Sequence, residues 1–438
     1  MGKRARALAV FLLEMALVSC SQSPPEPVTL RYSYAWLEDT PQISSRLQQF
    51  TQETGIRVKA IPIADASREY VEIARKVLAD SSGPDVLNID LIWSPLLEPN
   101  LIDLRPYLTP EISQLEPQLL ASYTVNGKLV AVPFNATMGI LEYRSDLLRE
   151  YGYDHAPRTW TELETMADTI QRAERAKGHK DFWGYVWQGS VSEALMCNAL
   201  EWQASAGGGR IIEPDGTISV NNPAAIQAWQ RARHWIGRIS PPSVLAYTDV
   251  DSMLVFDAGR AAFSRVWFLT PITRSAHRGQ RGWRSVRPPV VETGFSRMPG
   301  GVAGSVATLG GAGTGVSMHS THRQEAIALV RFQLHALMQV GEHNGPAVVE
   351  FPDALTAAPD ASSTGSSQTA SLVARPSVVA GVKYEQASKV YIDAVHSVLA
   401  GQTGAAEAAA ELEKQLVAIT GFRTRRPTTE DKTAERDR

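Results

Sequence analysis

A chain of 438 residues is too long for one small core and sets two domains as the expectation. With 44% hydrophobic and 20% charged residues, its composition is that of a globular protein. A formal net charge of −3, a pI near 6.3 and the lack of any basic run interleaved with aromatics argue against nucleic acid as the partner.

The chain opens on "MGKRARALAVFLLEMALVSC", with Lys3, Arg4 and Arg6 ahead of an apolar run over 7–18 that Glu14 interrupts. This is the pattern of a secretory signal, too short to span a membrane. Its "LVSC" ending resembles a bacterial lipobox, which makes residues 1–19 a signal peptide and Cys20 the lipidated first mature residue. Removing 1–19 takes off three basic residues and one acidic and leaves a charge of −5. Cys197 is then the one remaining cysteine, so no intrachain disulfide forms even in an oxidising compartment. Set among Met196, Ala199 and Leu200, it reads as buried packing rather than as a nucleophile. The Pro-rich "SQSPPEP" completes a tether over residues 20–27.

The first domain opens with "VTLRYSYAW", a strand by its alternation. Thr40-Pro41 starts a helix with Ile43, Leu47 and Phe50 on one face, and Thr54-Gly55 ends it. "IRVKAIPI" returns as a strand, a second helix is expected over 67–79, and "VLNID" reads as a buried strand. This β-α-β-α-β order is that of a parallel α/β sheet. "NGKLVAVPF" predicts a turn at Asn126-Gly127 and then a strand. A second domain begins near Asn135, with a helix opened by a capping box of Thr159 and Glu162. A further helix has Asn222 as cap, Pro223 at its first position and Ile226, Trp229 and Ile236 inward. From Gly294 to His319 the chain is rich in Gly and β-branched residues, and "HRQEAIALVRFQLHALMQ" is helical again. Residues 357–371 are low in complexity, and 422–438 are expected to be a disordered tail.

No phosphate loop, nucleophile elbow or H-E-x-x-H motif is present, and "GGAGTG" over 310–315 reads as a tight, close-packed turn rather than a dinucleotide fingerprint. His319 and His322, three apart without Cys or carboxylate beside them, read as a surface pair, so no metal and no cofactor is expected.

Five blocks then carry a resemblance: "PDVLNIDLIW", "NGKLVAVPFNATMGILEYRSDLLREYGYDHAPRTWTEL", "DFWGYVWQGSVSEALMCNALEWQASAGGG", "FDAGRAAFSRVW" and "ATLGGAGTGVS". With the lipobox, they resemble the extracellular solute-binding proteins of bacterial ABC sugar importers, and more narrowly the trehalose/maltose-binding group. The resemblance implies an α/β, two-lobed periplasmic-binding-protein fold of type II with a ligand cleft between hinged lobes. Residues 28–133 with about 290–325 would form lobe 1, and 134–289 with about 326–421 would form lobe 2. It implies no catalysis.

The site residues carry over one at a time. Asp90 matches an aspartate that accepts sugar hydroxyls, at the carboxyl end of a strand where open α/β sheets bind ligands; the alternative is an Asp capping the following turn. Glu38 or Asp39 fits an acidic contact after the first strand. Trp187, Gln188 and Glu193 fall near the second lobe's side of the cleft, where a ring stacks on a pyranose and polar groups take hydroxyls. Trp183 and Trp202 read as core, and for Trp187 core and stacking stand level. Trp267 matches a stacking tryptophan, Gly311 a backbone approach to the sugar, and Arg375 an arginine that reaches the ligand. Where the pattern has an aromatic and an aspartate this chain has Asn135 and Thr137, and where it has a second tryptophan this chain has Ala312. The expected protein is therefore a monomeric, lipid-anchored, extracytoplasmic receptor that passes an oligosaccharide to permease subunits in the membrane. A secreted glycoside hydrolase and a binder of a non-sugar solute are the rivals.

Overall fold

In the computed structural model, the described residues are 27–35, 41–63, 83–115, 117–267, 292–341 and 371–425. Cys20, Glu38, Asp39 and the helix expected over 67–79 lie outside them. The first unit begins with β1 (Thr29–Ala35), α1 (Pro41–Thr54), β2 (Arg57–Ile63) and β3 (Val86–Asp90). Ile43, Leu47 and Phe50 of α1 are buried on one face, as their spacing predicts. β1 pairs in parallel with both β2 and β3, so the expected α/β order holds. Next come α2 (Arg105–Ile112) and the hairpin of β4 (Thr124–Val125) and β5 (Lys128–Leu129), turned by Asn126 and Gly127 at positive φ. β6 (Val132–Pro133) closes this stretch.

The second unit is built from β7 (Thr137–Arg144), α3 (Trp160–Ala176), β8 (Trp183–Val186), α4 (Glu193–Ser205), α5 (Pro223–Trp235), α6 (Asp249–Asp257), β9 (Ala261–Trp267), β10 (Thr293–Arg297) and β11 (Val306–Gly310). The chain then crosses back through β12 (Ala312–Val316) and α7 (Arg323–Gly341), and ends with β13 (Ser371–Val373), α8 (Tyr384–Leu399) and α9 (Ala405–Thr420). Among the described residues, two large sheets result beside the β4–β5 hairpin: β2-β1-β3-β12-β6, and β13-β11-β7-β9-β8 with β10 on β7.

This pairing divides the chain differently from the expected lobes. β10 and β11 belong to the second sheet, whereas β12 pairs with β3 and β6, and α7 packs on β12, α1 and α2 of the first. The switch falls at Gly311 rather than near 290 and 326. "GGAGTG" is not a turn: Gly310 ends β11, Gly311 makes the crossing and 312–315 run in β12, where glycine lets the strand lie against Tyr123, whose ring a Cβ at 313 would meet at 2.5 Å. The tail also starts later than expected, because Ile218 N–H donates to the Arg423 carbonyl at 2.8 Å and Arg425 N–H to the Ile218 carbonyl at 2.9 Å.

The caps are partly as predicted. Asn222 Oδ1 accepts Ala225 N–H at 3.0 Å, and Thr159 accepts Glu162 N–H at 3.1 Å. Glu162 reaches back to Arg158 N–H at 2.7 Å, one residue short of a reciprocal box. Around them Trp160, Tyr185, Trp187, Trp202 and Trp235 pack edge to face or tilted, with centroids 5.0–5.6 Å apart, as the core of the second unit.

Candidate functional site

Two crossings between the sheets run side by side. Between β6 and β7, Phe134 and Asn135 donate their N–H groups to the Ala312 carbonyl at 2.8 and 3.1 Å, and Asn135 Oδ1 accepts Ala312 N–H at 2.8 Å. Gly311 has φ +132°, and a Cβ there would sit 2.6 Å from the Asn135 carbonyl oxygen. Its glycine answers the neighbouring crossing, and Asn135 serves as a splint between the two. A third crossing follows β13, where residues 377–383 touch the turns at 91–97 before α8 returns.

β3 delivers Asp90 to this junction, in register with Ala312. Asp90 Oδ1 accepts Ile92 N–H at 3.0 Å, so it does cap the following turn, and it also accepts Arg375 Nη2 at 3.3 Å. From the other unit comes Glu193, the first residue of α4, where a carboxylate suits the helix dipole. Its Oε2 accepts Arg375 Nη1 at 3.2 Å and the Tyr384 hydroxyl at 2.7 Å, and its Oε1 accepts the Ser388 hydroxyl. The Arg375 side chain is 4% exposed while Asp90 and Glu193 keep 37% and 36%, so the guanidinium lies beneath two carboxylates that water still reaches. Arg375 thus ties the carboxyl end of the first sheet to the first turn of α4. Crowding by protein pushes the Asp90 carboxyl above its ordinary range, and the Arg375 guanidinium opposes that shift.

Trp267 ends β9 beside this junction, half-buried and paired with Gly139 of β7. A Cβ at Gly310 would meet its ring at 2.7 Å and Thr137 Oγ1 at 2.7 Å, so Thr137, Gly310 and Trp267 share one wall. Exposed Asp249 opens α6 next to it. Crowding raises the pKa of that carboxyl, with the Arg265 guanidinium acting the other way.

Two expected site residues are core instead. Trp187 is fully buried, its indole N–H on Ser240 Oγ at 3.2 Å and its ring edge-on to Trp202. Gln188 is 1% exposed and saturated, donating to Ser252 Oγ at 2.7 Å and the Arg265 carbonyl at 2.8 Å while accepting from Asn198 at 3.0 Å. A side chain with all its bonds made inside the protein has none left for a ligand. Trp183 is half-buried under the Arg175 guanidinium, and Trp202 is core. Burial pushes the Cys197 thiol up to about 12, so it carries no thiolate chemistry. Sequence reasoning missed Glu201, Arg265, Asp249, Gly310 and Tyr384. For Arg265 a signal existed: strand alternation puts residues 265 and 267 on one face. Among the described residues no cluster of three or more His, Cys, Asp or Glu could hold a metal ion, and no helix is long and apolar enough to cross a membrane.

Residues 34–336 match the family of bacterial extracellular solute-binding proteins. The chain is 36% identical over 424 residues to the probable ABC transporter-binding protein of Deinococcus radiodurans, covering 94% of this chain and 98% of that one. Among solved structures, maltose-bound MalE3 of T. maritima matches with a TM-score of 0.70 at 30% identity, over 90% of this chain and 100% of the other. An ABC transporter solute-binding protein from Thermotoga lettingae, bound with α-D-tagatose, shares the fold at a TM-score of 0.71 and 20% identity, over 90% and 100% of the two chains. With two α/β sheets, paired crossings and polar groups gathered where the sheets meet, the chain belongs to the bacterial extracellular solute-binding protein family and has its two-lobed, type II fold.

Proposed function

We propose that the chain is the sugar receptor of an ABC importer, anchored through lipidated Cys20 outside the cytoplasm. Its ligand is a neutral oligosaccharide of disaccharide size, such as trehalose, maltose or sucrose. The observation that carries this reading is the half-buried Trp267 against Gly310 at one end of the Gly311 crossing, with Asp90, in register with Ala312 at the other end, bonded through Arg375 to Glu193. An indole face suits the apolar face of a pyranose, and carboxylates and a guanidinium suit its hydroxyls. Arg375 offsets half the charge of the two carboxylates and engages both, which favours a neutral ligand over a polycation. The maltose held by MalE3, at 30% identity, supports the same class. Asn135, Thr137 and Gly311 line the hinge side of the cleft, and Glu38 or Asp39 adds an acidic contact. Closure of the lobes on the sugar is the signal read by the permease.

A thermal-shift screen of the chain from residue 27 onward against trehalose, maltose, sucrose and acyclic polyols tests the ligand class. Binding to the native state alone raises the melting temperature, by about 2.7 kcal/mol of stabilisation at a hundredfold excess over Kd. The expected result is a shift with at least one disaccharide and no product on prolonged incubation. Released monosaccharide would make the protein a hydrolase. For the anchor, Cys20→Ala is expected to move the protein from the membrane fraction to the soluble one; a variant that still carries lipid overturns the anchor.

A further inference from the structure

Trp267 is held by two groups that no family pattern in the sequence brought forward. The Arg265 guanidinium carbon lies 4.1 Å from the ring centroid, against one face of the indole. Gly310 of β11 offers the benzo ring a backbone without a side chain. Arg265 is itself fixed from behind. Its Nη2 and Nε donate to Glu201 Oε1 and Oε2 at 2.7 and 3.2 Å, and Glu201 Oε1 also accepts Thr308 N–H at 3.0 Å. Both partners are fully buried, and Arg265 Nη1 has no hydrogen-bond partner among the described residues.

Resting on the sugar-receptor reading, we propose that Arg265, Glu201 and Gly310 form a seat that fixes the plane of the Trp267 indole, one face on the guanidinium and the other turned to the ligand. They are positioning residues for stacking, not ligand contacts. A buried ion pair gives little net stability over well-packed apolar groups of the same volume, and this one leaves a guanidinium nitrogen unpaired. What it does supply is orientation. A guanidinium held by two bonds to a carboxylate is a flat, fixed surface, and a ring stacked on it cannot rotate freely. Stacking on a pyranose needs such a fixed plane, since a ligand-facing side chain works only when groups behind it lock its geometry. Glycine at 139 and 310 makes room for the two halves of the device. A Cβ at 139 would stand 2.6 Å from Arg265 Nη2 and closer still to Glu201 Oε1.

The test labels the protein with 5-fluorotryptophan and assigns the Trp267 fluorine line by its loss in Trp267→Phe. Gly310→Ala keeps every charge and crowds the ring with one methyl group. The double variant Glu201→Gln/Arg265→Met removes the stacked cation, leaves no lone buried charge and keeps an acceptor for Thr308. In both, the Trp267 line of the sugar-free protein is expected to shift and broaden. Affinity for maltose or trehalose, whichever the wild-type chain binds, is expected to fall about tenfold by titration calorimetry. In a Trp267→Ala background the double variant should lose almost nothing more, the non-additivity of residues acting as one unit. An unmoved fluorine line, or an equal loss of affinity with Trp267 absent, overturns the seat. If the wild-type chain binds neither sugar, the receptor reading fails, and the line in the sugar-free protein still decides the seat.

Discussion

Gly139 of β7 faces the fully buried Glu201–Arg265 pair, and its missing side chain is what the pair occupies. Gly139→Ala therefore forces the ions apart. Breaking a buried pair costs about 3–5 kcal/mol because an uncompensated charge remains inside. A denaturant melt of the variant is expected to lose that much, and a loss below about 1 kcal/mol would mean that the pair relocates easily. Trp267→Ala should behave in the opposite way. The half-buried ring contributes little to the core, so its truncation is expected to weaken sugar binding roughly ten- to a hundredfold while the sugar-free melt stays nearly unchanged. Two tryptophans show what the sequence could and could not tell at this scale. "YVWQG" and "SRVW" look equally able to present an indole, yet Trp187 is sealed among Trp202 and Ser240 while Trp267 is the last residue of β9, beside the crossings. Which ring faces a cleft depends on strand pairing across more than a hundred residues, and no local pattern contains that.

At the level of the element, periodicity and caps were legible because they are local. The face of α1, the parallel β1–β3 order and the Asn222 cap need only neighbours in sequence to be read. "GGAGTG" was misread for the converse reason. Glycines signal a turn locally, but in β12 they allow close approach of Tyr123 and Val130 from distant segments. The C-terminal end of α3 yields a pH prediction. Glu174, 5% exposed, accepts hydrogen bonds from the Tyr151 hydroxyl at 2.6 Å and Lys177 at 2.9 Å, and pairs with His179 at 2.7 Å. Burial alone would raise its pKa, but these bonds outweigh it and lower the value from 4.5 to about 2. A depressed carboxyl pKa stabilises the fold above the unfolded value and loses that contribution as pH falls through 4.5 toward about 2. Glu174→Gln is expected to destabilise by about 1–3 kcal/mol at pH 7, with the gap to wild type closing below pH 4. Melts at a series of pH values check this, and a gap constant with pH would remove the carboxylate's charge from the account.

For the whole molecule, the bridge at Arg375 joins the two units, and on the proposed reading it would link ligand capture to the relative position of the lobes. Asp90 stands on the first sheet and Glu193 on α4 of the second unit, and both reach the same guanidinium within 3.3 Å. Without that cation, two carboxylates would face each other across the junction. Each is more than a third exposed, so solvent screens the repulsion and its size is about 1–2 kcal/mol rather than the larger figure of a dry interior. That is enough to move an open–closed equilibrium roughly tenfold. Arg375→Gln is therefore expected to enlarge the radius of gyration of the sugar-free protein in small-angle scattering, and Arg375→Gln with Glu193→Gln, which removes both the cation and one of the repelling charges, should restore most of it. Sugar should bind the single variant more weakly because part of its binding energy goes into drawing the lobes together. The sequence placed Arg375 near a ligand but gave no hint that it joins Asp90 to Glu193, since the three lie more than a hundred residues apart from one to the next and meet only through the third crossing. A sugar-free radius unchanged in Arg375→Gln would leave the two hydrogen-bonded crossings as the whole hinge and remove Arg375 from its control.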